Sequence, residues 1–451
     1  MKIVIIGLGT IGGDVLKTIT NSNHDIAIID EDKNLIDKYV EKYDVQGVVG
    51  NGASMEIQQE AGMKNADVAI IVTRHDEMNI FACLVAKQLG VKHTVARVRN
   101  PDYRKQIIAM KDALGISLVV NPEQDTANEI FHLIRLPEIA QVERFANGKA
   151  LLVNVVVEKD CLLIGESLIS IGKKFNTRVL ICSVQRGDDV IIPGGRFTIQ
   201  EGDKIYFTAN ARELREFLFE ANIIKSPLRN IMIVGGSKIA YYLATHLSNK
   251  KYKVKLVEGN MKLADELAEK LPKVTVVNGL GTRHDVLIEE GIEAMDAFVA
   301  LSDADEENMV TSMFANSMGV KKVITQIQND DLYSMLSQLG INNTISPKDI
   351  VADCVTSYIR ALENSRGSNI LTLYRLVDDR VEALEFAAKT QLKIYDKPLR
   401  ELRTKKNCLI ACIIRGENII IPDGNTCIQL GDSVIVVTTH KEFDDLMDVF
   451  E

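Results

Sequence analysis

The sequence predicts an α/β protein made of two doubly wound parallel-sheet domains, each followed by a small α+β domain. The segment at 2–12 returns at 230–240, so the chain of 451 residues is an internal duplication of a long unit. In each copy, short apolar strands alternate with helices, which is typical of a parallel sheet covered on both faces. After each such region the pattern changes to short alternating strands separated by glycine turns.

The parallel-sheet strands follow from continuous apolar runs. The first copy opens with a strand at 2–6, a glycine loop and a helix, and an amphipathic helix is predicted at 78–90. The other strands are predicted at 25–29, 44–49, 67–72 and 93–98, and in the second copy at 231–234, 253–257, 274–277, 297–301 and 322–327.

Alternating strands and repeated Arg-Gly and Gly-Asp turns predict the two small domains. The strands are expected at 150–157, 179–185, 190–193 and 204–208, with a helix at 211–220, and again at 371–377, 409–414, 419–422 and 433–438. We therefore divide the chain into domains at 1–140, 141–225, 229–365 and 368–451, with the linker between the copies at 225–230.

A helix follows a proline at the end of each parallel-sheet region, after Pro122 and after Pro347. Its apolar positions match between the copies, as Ala127, Ile130, Phe131 and Ile134 against Val351, Cys354, Val355 and Tyr358. Such a helix either covers its own sheet or crosses to a partner domain. The pattern alone favours neither alternative.

Composition excludes several classes of protein. The net charge is −9 without a basic patch, which argues against nucleic acid because phosphates require clustered Lys and Arg. No run reaches the roughly 18 apolar residues needed to span a bilayer, so we expect no membrane insertion and a cytoplasmic location. The seven cysteines show no zinc-ligand spacing. Cys408 and Cys412 are expected to be buried on one face of a strand.

The loop after the first strand carries the pattern of a dinucleotide site. Gly7-Leu8-Gly9-Thr10-Ile11-Gly12 lies between a strand and a helix, where the glycines permit a tight turn and close approach of a diphosphate. The helix N-terminus supplies amides and a positive dipole. Asp30, which ends the second strand 23 residues after Gly7, would accept hydrogen bonds from ribose hydroxyls and favours NAD over NADP. A glycine turn without a ligand is the alternative.

The second copy keeps only part of this pattern, at Gly235, Ser237, Lys238, Ile239 and Glu258. Glu258 again lies 23 residues after the first glycine. Serine replaces the second glycine and adds a side chain where a diphosphate needs close approach. We expect nucleotide binding there to be weaker, altered or lost.

Loops at the carboxyl ends of other strands are further candidates, because these ends line the crevice of an open sheet. They contain Asn51 and Gly52, Thr73 and its counterpart Ser302, and Arg97 as a phosphate contact. Arg97 and Arg99 become Gln326 and Gln328 in the second copy, in line with a weaker anion site. Asp76 and Asp305 are interpreted mainly as caps of the following helices.

No group of residues in the sequence suggests catalysis. The seven histidines do not recur at matching places, and the known hydrolase and phosphate-loop motifs are missing. A nucleotide site without chemistry beside it favours a sensor. An NAD-dependent oxidoreductase is the competing class, and a scaffold whose nucleotide is purely structural is a third.

The motifs together resemble the TrkA-type regulatory subunits of bacterial and archaeal Trk potassium-uptake systems. The resemblance rests on VIIGLGTIGGDV at 4–15, Asp30, GNGAS at 50–54, ADVAIIVT at 66–73 followed by DEMNIFACLVAKQLG at 76–90, ARVRNPDY at 96–103 and the RG, IIP and GD pattern of both small domains. It covers essentially the whole chain and implies two RCK N-terminal Rossmann domains, each followed by an RCK C-terminal domain.

This resemblance implies a non-enzymatic regulator. Such proteins bind NAD(H) or ATP/ADP and gate a TrkH-like potassium-translocating membrane protein from the inner face of the membrane. They form homo-oligomeric rings, here a tetramer with eight Rossmann domains. Some relatives bind a cyclic dinucleotide between C-terminal domains, for which Ile191-Ile192-Pro193 and Ile420-Ile421-Pro422 are candidate positions. The nucleotide positions Gly7, Gly9, Gly12, Asp30 and Thr73 match in the first copy, and Gly235 and Glu258 match in the second.

Overall fold

A computed structural model describes the chain. The described residues are all except 21–23, 136–140, 146–149, 176–178, 224–227, 342, 365–369, 377–379, 389–391, 417, 441–442 and 444. The predicted linker at 225–230 therefore lies partly outside the described residues. Among those that are described, no helix is both long enough and apolar enough to cross a membrane.

The first sheet has six parallel strands in the order β3-β2-β1-β4-β5-β6. The elements are β1 (Lys2–Ile6), α1 (Thr10–Ile19), β2 (Asp25–Asp30), α2 (Lys33–Lys42), β3 (Gln46–Val49), α3 (Met55–Glu60), β4 (Val68–Ile71), α4 (Asp76–Gln88), β5 (His93–Arg97), α5 (Pro101–Met110), β6 (Leu118–Val120) and α6 (Pro122–Arg135). Ile6 pairs with Ile29 on one side and Ile71 on the other, so the strand order reverses at β1. A crevice at the carboxyl ends of the strands opens at such a reversal.

The first small sheet is antiparallel, in the order β10-β9-β11-β8-β7. Its elements are β7 (Gln141–Phe145), β8 (Ala150–Val156), α7 (Leu168–Lys174), β9 (Leu180–Arg186), β10 (Asp189–Ile191), β11 (Lys204–Asn210) and α8 (Ala211–Glu220).

The second copy repeats both sheets. Its parallel elements are β12 (Asn230–Val234), α9 (Lys238–Asn249), β13 (Lys253–Glu258), α10 (Met261–Lys270), β14 (Thr275–Asn278), α11 (His284–Glu289), β15 (Ala297–Ala300), α12 (Asp305–Ser317), β16 (Lys322–Gln326), α13 (Asp330–Gln338), β17 (Asn343–Ile345) and α14 (Pro347–Asn364). The antiparallel elements are β18 (Ile370–Leu376), β19 (Val381–Ala387), β20 (Cys408–Arg415), β21 (Asn418–Ile420) and β22 (Ser433–Thr438). The orders are β14-β13-β12-β15-β16-β17 and β18-β19-β22-β20-β21, which confirms the predicted fold class.

The chain divides into two compact units, each of which contains the same kind of domain from both copies. One unit contains Met1–Ile134 and Leu228–Ile359, hence both parallel sheets. The other contains Arg135–Pro227 and Arg360–Glu451, hence both small sheets. The strongest packing of each domain is therefore with its copy within the same unit rather than along the sequence.

The helix α6 crosses to the second copy. Ile130 and Phe131 share one core with Ile233 of β12 and Leu243 of α9. The ring of Phe131 stacks on His246, with centroids 4.6 Å apart and planes at 7°. Burial of each large apolar side chain contributes about 1.5–3 kcal/mol, so α6 is a substantial part of the second domain's core. The sequence left open whether this helix covers its own sheet or crosses to a partner domain. In the structure α6 crosses to the partner domain.

The helix α14 makes the reciprocal connection. The hydroxyl of Tyr358 lies 3.1 Å from Nδ1 of His93, at the start of β5. Near the other end of the helix, Nζ of Lys348 lies 3.6 Å from Oδ2 of Asp14 on α1. Both contacts reach the first copy, so each parallel-sheet domain receives a helix from the other.

The repeated Arg and Asp of the small domains form the same buried bridge twice. Arg186 donates from Nε and Nη2 to Asp203 at 2.7 and 2.8 Å, and Arg415 donates to Asp432 at 2.9 Å from each nitrogen. Both carboxylates are almost fully buried. The bidentate pairs connect each hairpin to the turn before the last strand of the sheet.

The two small sheets share a core, and one prediction for β20 is wrong. Cys408 packs in the core of its own domain, whereas Cys412 lies in the core shared with Cys182 of the first copy. Both thiols are buried, as expected, but they do not face one side. The pairing of β20 with β22 shifts between Ile410 and Cys412, and such a bulge reverses the facing of the following residues.

Candidate nucleotide-binding site

The three glycines of the first copy's loop have different surroundings. Gly7 has φ +92°, a conformation that other residues rarely adopt. A Cβ on Gly12 would lie 1.8 Å from the carbonyl oxygen of Gly7. A Cβ on Gly9 would instead meet nothing within 4 Å. Gly9 therefore has open space in front of it, which is what a bound diphosphate requires.

The N-termini of the equivalent helices α1 and α9 differ. The N-cap of α1 is Gly9, and no side chain accepts a hydrogen bond from its first amides. The N-cap of α9 is Ser237, whose Oγ accepts a hydrogen bond from the amide of Ala240 at 3.3 Å. The first helix thus presents its amides and positive dipole end to a ligand, and the second satisfies one amide itself.

The acids at the ends of β2 and β13 brace the glycine loops. Asp30 accepts from the amide of Leu8 at 2.6 Å and from that of Asp32 at 2.9 Å. Glu258 does the same for Gly236 at 2.5 Å and Asn260 at 2.6 Å. A carboxylate has about four acceptor positions, so each acid can also bind a ribose hydroxyl. Leu8 contributes a buried side chain and the amide that donates to Asp30.

A cavity of about 880 Å³ lies at the carboxyl ends of the first sheet, within the unit that holds both parallel sheets. This is the size of a large small-molecule site. Its lining includes the predicted residues Gly7, Gly9, Thr10, Ile11, Asp30, Gly52, Thr73 and Arg97 of the first copy and Ser237, Lys238 and Ile239 of the second. It also includes Arg99, Glu123, Gln326, Gln328 and Lys348, so both copies form one site.

The remaining predicted residues lie outside the cavity lining. Gly12 packs beneath the loop, and Asn51 accepts from the amide of Ala53 at 2.8 Å to form a local turn. Gly235, Glu258 and Ser302 gather at the end of β12 and are absent from the lining of this cavity. The structure therefore does not bring the second loop's glycine and acid to the cavity that the first loop lines.

The wall of the cavity carries a buried guanidinium group with an unused donor. Arg97 donates from Nη1 to the carbonyl of Thr73 at 3.4 Å, while its buried Nε has no hydrogen-bond partner. Burial lowers the pKa of Arg97, and the positive charge of Arg99 lowers it further. An anion in the cavity would relieve both costs. Gln326 occupies the equivalent place in the second copy and carries no charge.

Asn79 is a positioning residue that the sequence reasoning did not single out. It is fully buried, and it accepts from the amide of Thr73 at 3.0 Å and donates to the carbonyl of Arg97 at 2.9 Å. Asn308 makes the same two bonds to Ser302 and Gln326 in the second copy, at 2.8 and 3.1 Å. The recurrence of a buried asparagine six residues after Thr73 and Ser302 was the available signal.

Asp76 and Asp305 do not cap the helices that they begin, so that interpretation is wrong. The N-caps are His75 and Ala304, and neither provides a side-chain cap. Asp76 instead accepts from the amides of Arg99 and Asn100 at 2.9 and 2.8 Å. A charged acceptor at this point holds the loop that carries Arg99 against the start of α4.

Strand order, glycine loops and strand-end acids define a tandem of Rossmann-type nucleotide-fold domains. Family comparisons agree, matching the TrkA-N domain at 3–122 and 231–347 and the TrkA-C domain at 152–218 and 385–451. The chain belongs to the TrkA family of Trk potassium-uptake proteins. Its full-length relatives are named as potassium uptake proteins, and these names are not those of enzymes.

Full-length relatives include the Trk system potassium uptake protein TrkA of Vibrio alginolyticus, which is 30% identical over 98% of this chain and 97% of its own. TrkA homolog 1 of Methanosarcina mazei is 31% identical over 100% of both chains. Among solved structures, the GsuK channel bound to NAD has a TM-score of 0.63 at 15% identity, over 97% of this chain and 76% of its own. GsuK bound to ADP has a TM-score of 0.51 at 12% identity, over 81% of this chain and 69% of its own. These two likenesses support the fold.

Proposed function

We propose that the chain is a nucleotide-sensing regulatory subunit that gates a TrkH-like potassium-uptake protein at the inner face of the membrane. NAD(H) and ATP or ADP are the proposed ligands, competing for the first copy's site in a homotetrameric ring. The observation that carries the proposal is the cavity lined by the open loop of the first copy and the α9 terminus of the second. A ligand that contacts two domains favours the arrangement of them to which it binds more tightly.

The proposed pose follows from the chemistry of the lining. The diphosphate lies on the amides at Gly9, Thr10 and Ile11, where the dipole of α1 favours negative charge. The adenosine ribose hydroxyls donate to Asp30. Arg97 lines the same cavity, so its positive charge attracts the phosphates. Charge-assisted bonds of this kind are about twice as strong as neutral ones, so phosphate binding is the main source of affinity.

The second copy is proposed to be mainly structural. Ser237 uses its hydroxyl to cap α9, and Glu258 braces a loop that lies outside the cavity lining. Nucleotide binding at that loop would have to displace the serine cap, which costs about 0.5–2 kcal/mol. The relatives named TrkA and the NAD- and ADP-bound GsuK structures support this class of ligand and target.

The test compares Asp30→Ala with its matched counterpart Glu258→Ala. Titration calorimetry with NADH and with ATP should show at least about tenfold weaker binding for Asp30→Ala, because hydrogen bonds to a charged acceptor are worth about 1.5–3 kcal/mol. Glu258→Ala should bind like the unaltered protein. Equal losses in the two variants would contradict the assignment of sensing to the first copy.

The functional arm of the test is potassium flux through the co-expressed membrane subunit. ATP and NADH added to the unaltered protein should change flux in different degrees or directions, because a ligand shifts a conformational equilibrium only through differential affinity. Asp30→Ala should raise the nucleotide concentration needed for the response at least about tenfold. Flux that responds to nucleotide in Asp30→Ala as it does in the unaltered protein would contradict the proposal.

A further inference from the structure

Four charged side chains join the two parallel-sheet domains beside the cavity. Nζ of Lys348 lies 2.8 Å from Oδ1 of Asp330 and 3.6 Å from Oδ2 of Asp14, and Nζ of Lys17 lies 3.3 Å from Oδ2 of Asp330. Asp14 and Lys17 belong to α1 of the first copy, whereas Asp330 and Lys348 begin helices of the second. The cluster is therefore an electrostatic link between the copies.

Lys348 is the member of this cluster that also lines the cavity. Its side chain is only 11% exposed, compared with 59% for Lys17. Asp14 lies one turn after Thr10, an axial rise of about 6 Å, so an ammonium group on Asp14 is within side-chain reach of an anion on the α1 terminus. The equivalent position in the first copy is Glu123, which has the opposite charge.

The surroundings of Lys348 keep its ammonium group charged, and several carboxylates surround it. Burial alone would lower the pKa of Lys348, but Asp330 and Asp14 outweigh it and raise that pKa. Burial raises the pKa of Asp14 despite the attraction of Lys348, and the nearby Asp349 and Asp330 raise it further. The carboxylates thus outnumber the two lysines, and a phosphate group would compete with them for the same ammonium.

We propose that Lys348 reads the terminal phosphate of a nucleotide bound to the first copy, exchanging its contact with Asp14 for that phosphate. The inference rests on the proposed function. A nucleoside di- or triphosphate ends in a highly charged group. This group would attract the ammonium of Lys348 and weaken its ion pair with Asp14 of α1. The diphosphate of NAD is esterified at both ends and would leave the link closed. One site would thereby give different signals for the two ligands.

The test uses Lys348→Gln with Lys17→Gln as the matched control. By titration calorimetry, Lys348→Gln should weaken ATP binding roughly tenfold, the effect of one charged hydrogen bond, while NAD binding stays within about twofold. Lys17→Gln removes a charge from the same cluster but not from the cavity lining. It should leave the ratio of ATP to NAD affinity within about twofold of the unaltered protein.

The outcomes separate this inference from the proposed function. Equal losses for ATP and NAD in Lys348→Gln, or a selective loss of ATP binding in Lys17→Gln, would overturn it while leaving the nucleotide site intact. Unaltered protein that binds neither ligand would overturn the proposed function itself. Should Lys348→Gln fail to fold, Lys348→Arg keeps the charge and should keep the ratio of ATP to NAD affinity of the unaltered protein. A selective loss of ATP affinity in this folded variant would also overturn the inference.

Discussion

At the scale of single residues, the two copies differ most at the second glycine of the loop. Gly9 adopts an extended conformation with open space beyond its α-carbon, so a serine there would meet no steric conflict. In the second copy Ser237 occupies the equivalent position, where its hydroxyl caps α9 by accepting a hydrogen bond from the amide of Ala240. One side chain therefore decides whether a helix end is free for a phosphate or already satisfied.

We predict that Gly9→Ser weakens nucleotide binding about 10- to 100-fold while leaving thermal stability unchanged or slightly higher. The hydroxyl would occupy the phosphate position and cap α1, and a serine cap stabilises a helix relative to glycine by a few tenths of a kcal/mol. Calorimetric titration and a thermal melt of the same preparation measure the two effects. Glu258→Ala, in the equivalent loop but outside the cavity lining, is the control and should leave binding at the first copy unaltered. Full affinity in Gly9→Ser would contradict the phosphate assignment.

At the scale of elements, the crossing helices make each parallel-sheet domain dependent on the other. Phe131 of α6 is buried against α9 and β12 of the second copy, where it stacks on His246. The reciprocal helix α14 brings Tyr358 to His93 and Lys348 to the cavity. Because α6 completes the core of the second copy, a local change in α6 destabilises the parallel-sheet domain of the second copy.

We predict that Phe131→Ala lowers the free energy of unfolding by about 3–5 kcal/mol, the cost of emptying a packed aromatic site. The loss should be localised in the second copy, as faster amide exchange in β12 and α9. Urea unfolding and hydrogen exchange are the measurements. Phe219→Ala is the matched control, because that ring is 38% exposed and a surface substitution costs within about 0.5 kcal/mol. Exchange that accelerates only in the first copy would contradict the crossing of α6.

At the scale of the whole molecule, the duplicated domains pair with their own kind. The two parallel-sheet domains form one unit and the two small domains another. A ligand in the shared cavity therefore acts on both copies at once, although the open glycine loop belongs to the first. Such a ligand shifts the equilibrium between two arrangements of the domains when its contacts differ between them.

We predict that saturating nucleotide protects amides of both copies from hydrogen exchange. Protection should extend from Gly9–Ile11 to Lys238 and Ile239, because both helix N-termini line the cavity. At a free nucleotide concentration 100 times the dissociation constant, binding adds about 2.7 kcal/mol to the free energy of unfolding. Asp30→Ala at the same nucleotide concentration is the control and should show less added protection, because tenfold weaker binding lowers the added stability to about 1.4 kcal/mol. Protection confined to the first copy would contradict a shared site.

Much of the fold was predictable because its signals are local. Continuous apolar runs, glycine spacing and strand-end acids recur in each copy, and the strands that they predicted lie within about one or two residues of strands in the structure. Four strands were not predicted, the short β6 and β17, the strand β7, and β19, which is buried along most of its length. The orientation of Cys412 toward the shared core was also not predicted. A bulge interrupts the two-residue alternation from which the face of each side chain is predicted.

The sequence by itself determined the duplication, the two kinds of sheet, the family and the difference between Gly9 and Ser237. Only the tertiary structure decided which sheet each crossing helix covers, that Arg97 and Lys348 meet at one cavity, and that Asp76 holds a loop rather than a helix end. The physical reason is that an apolar helix face carries the same pattern whichever sheet buries it. Charged side chains far apart in the chain, likewise, acquire partners only through packing.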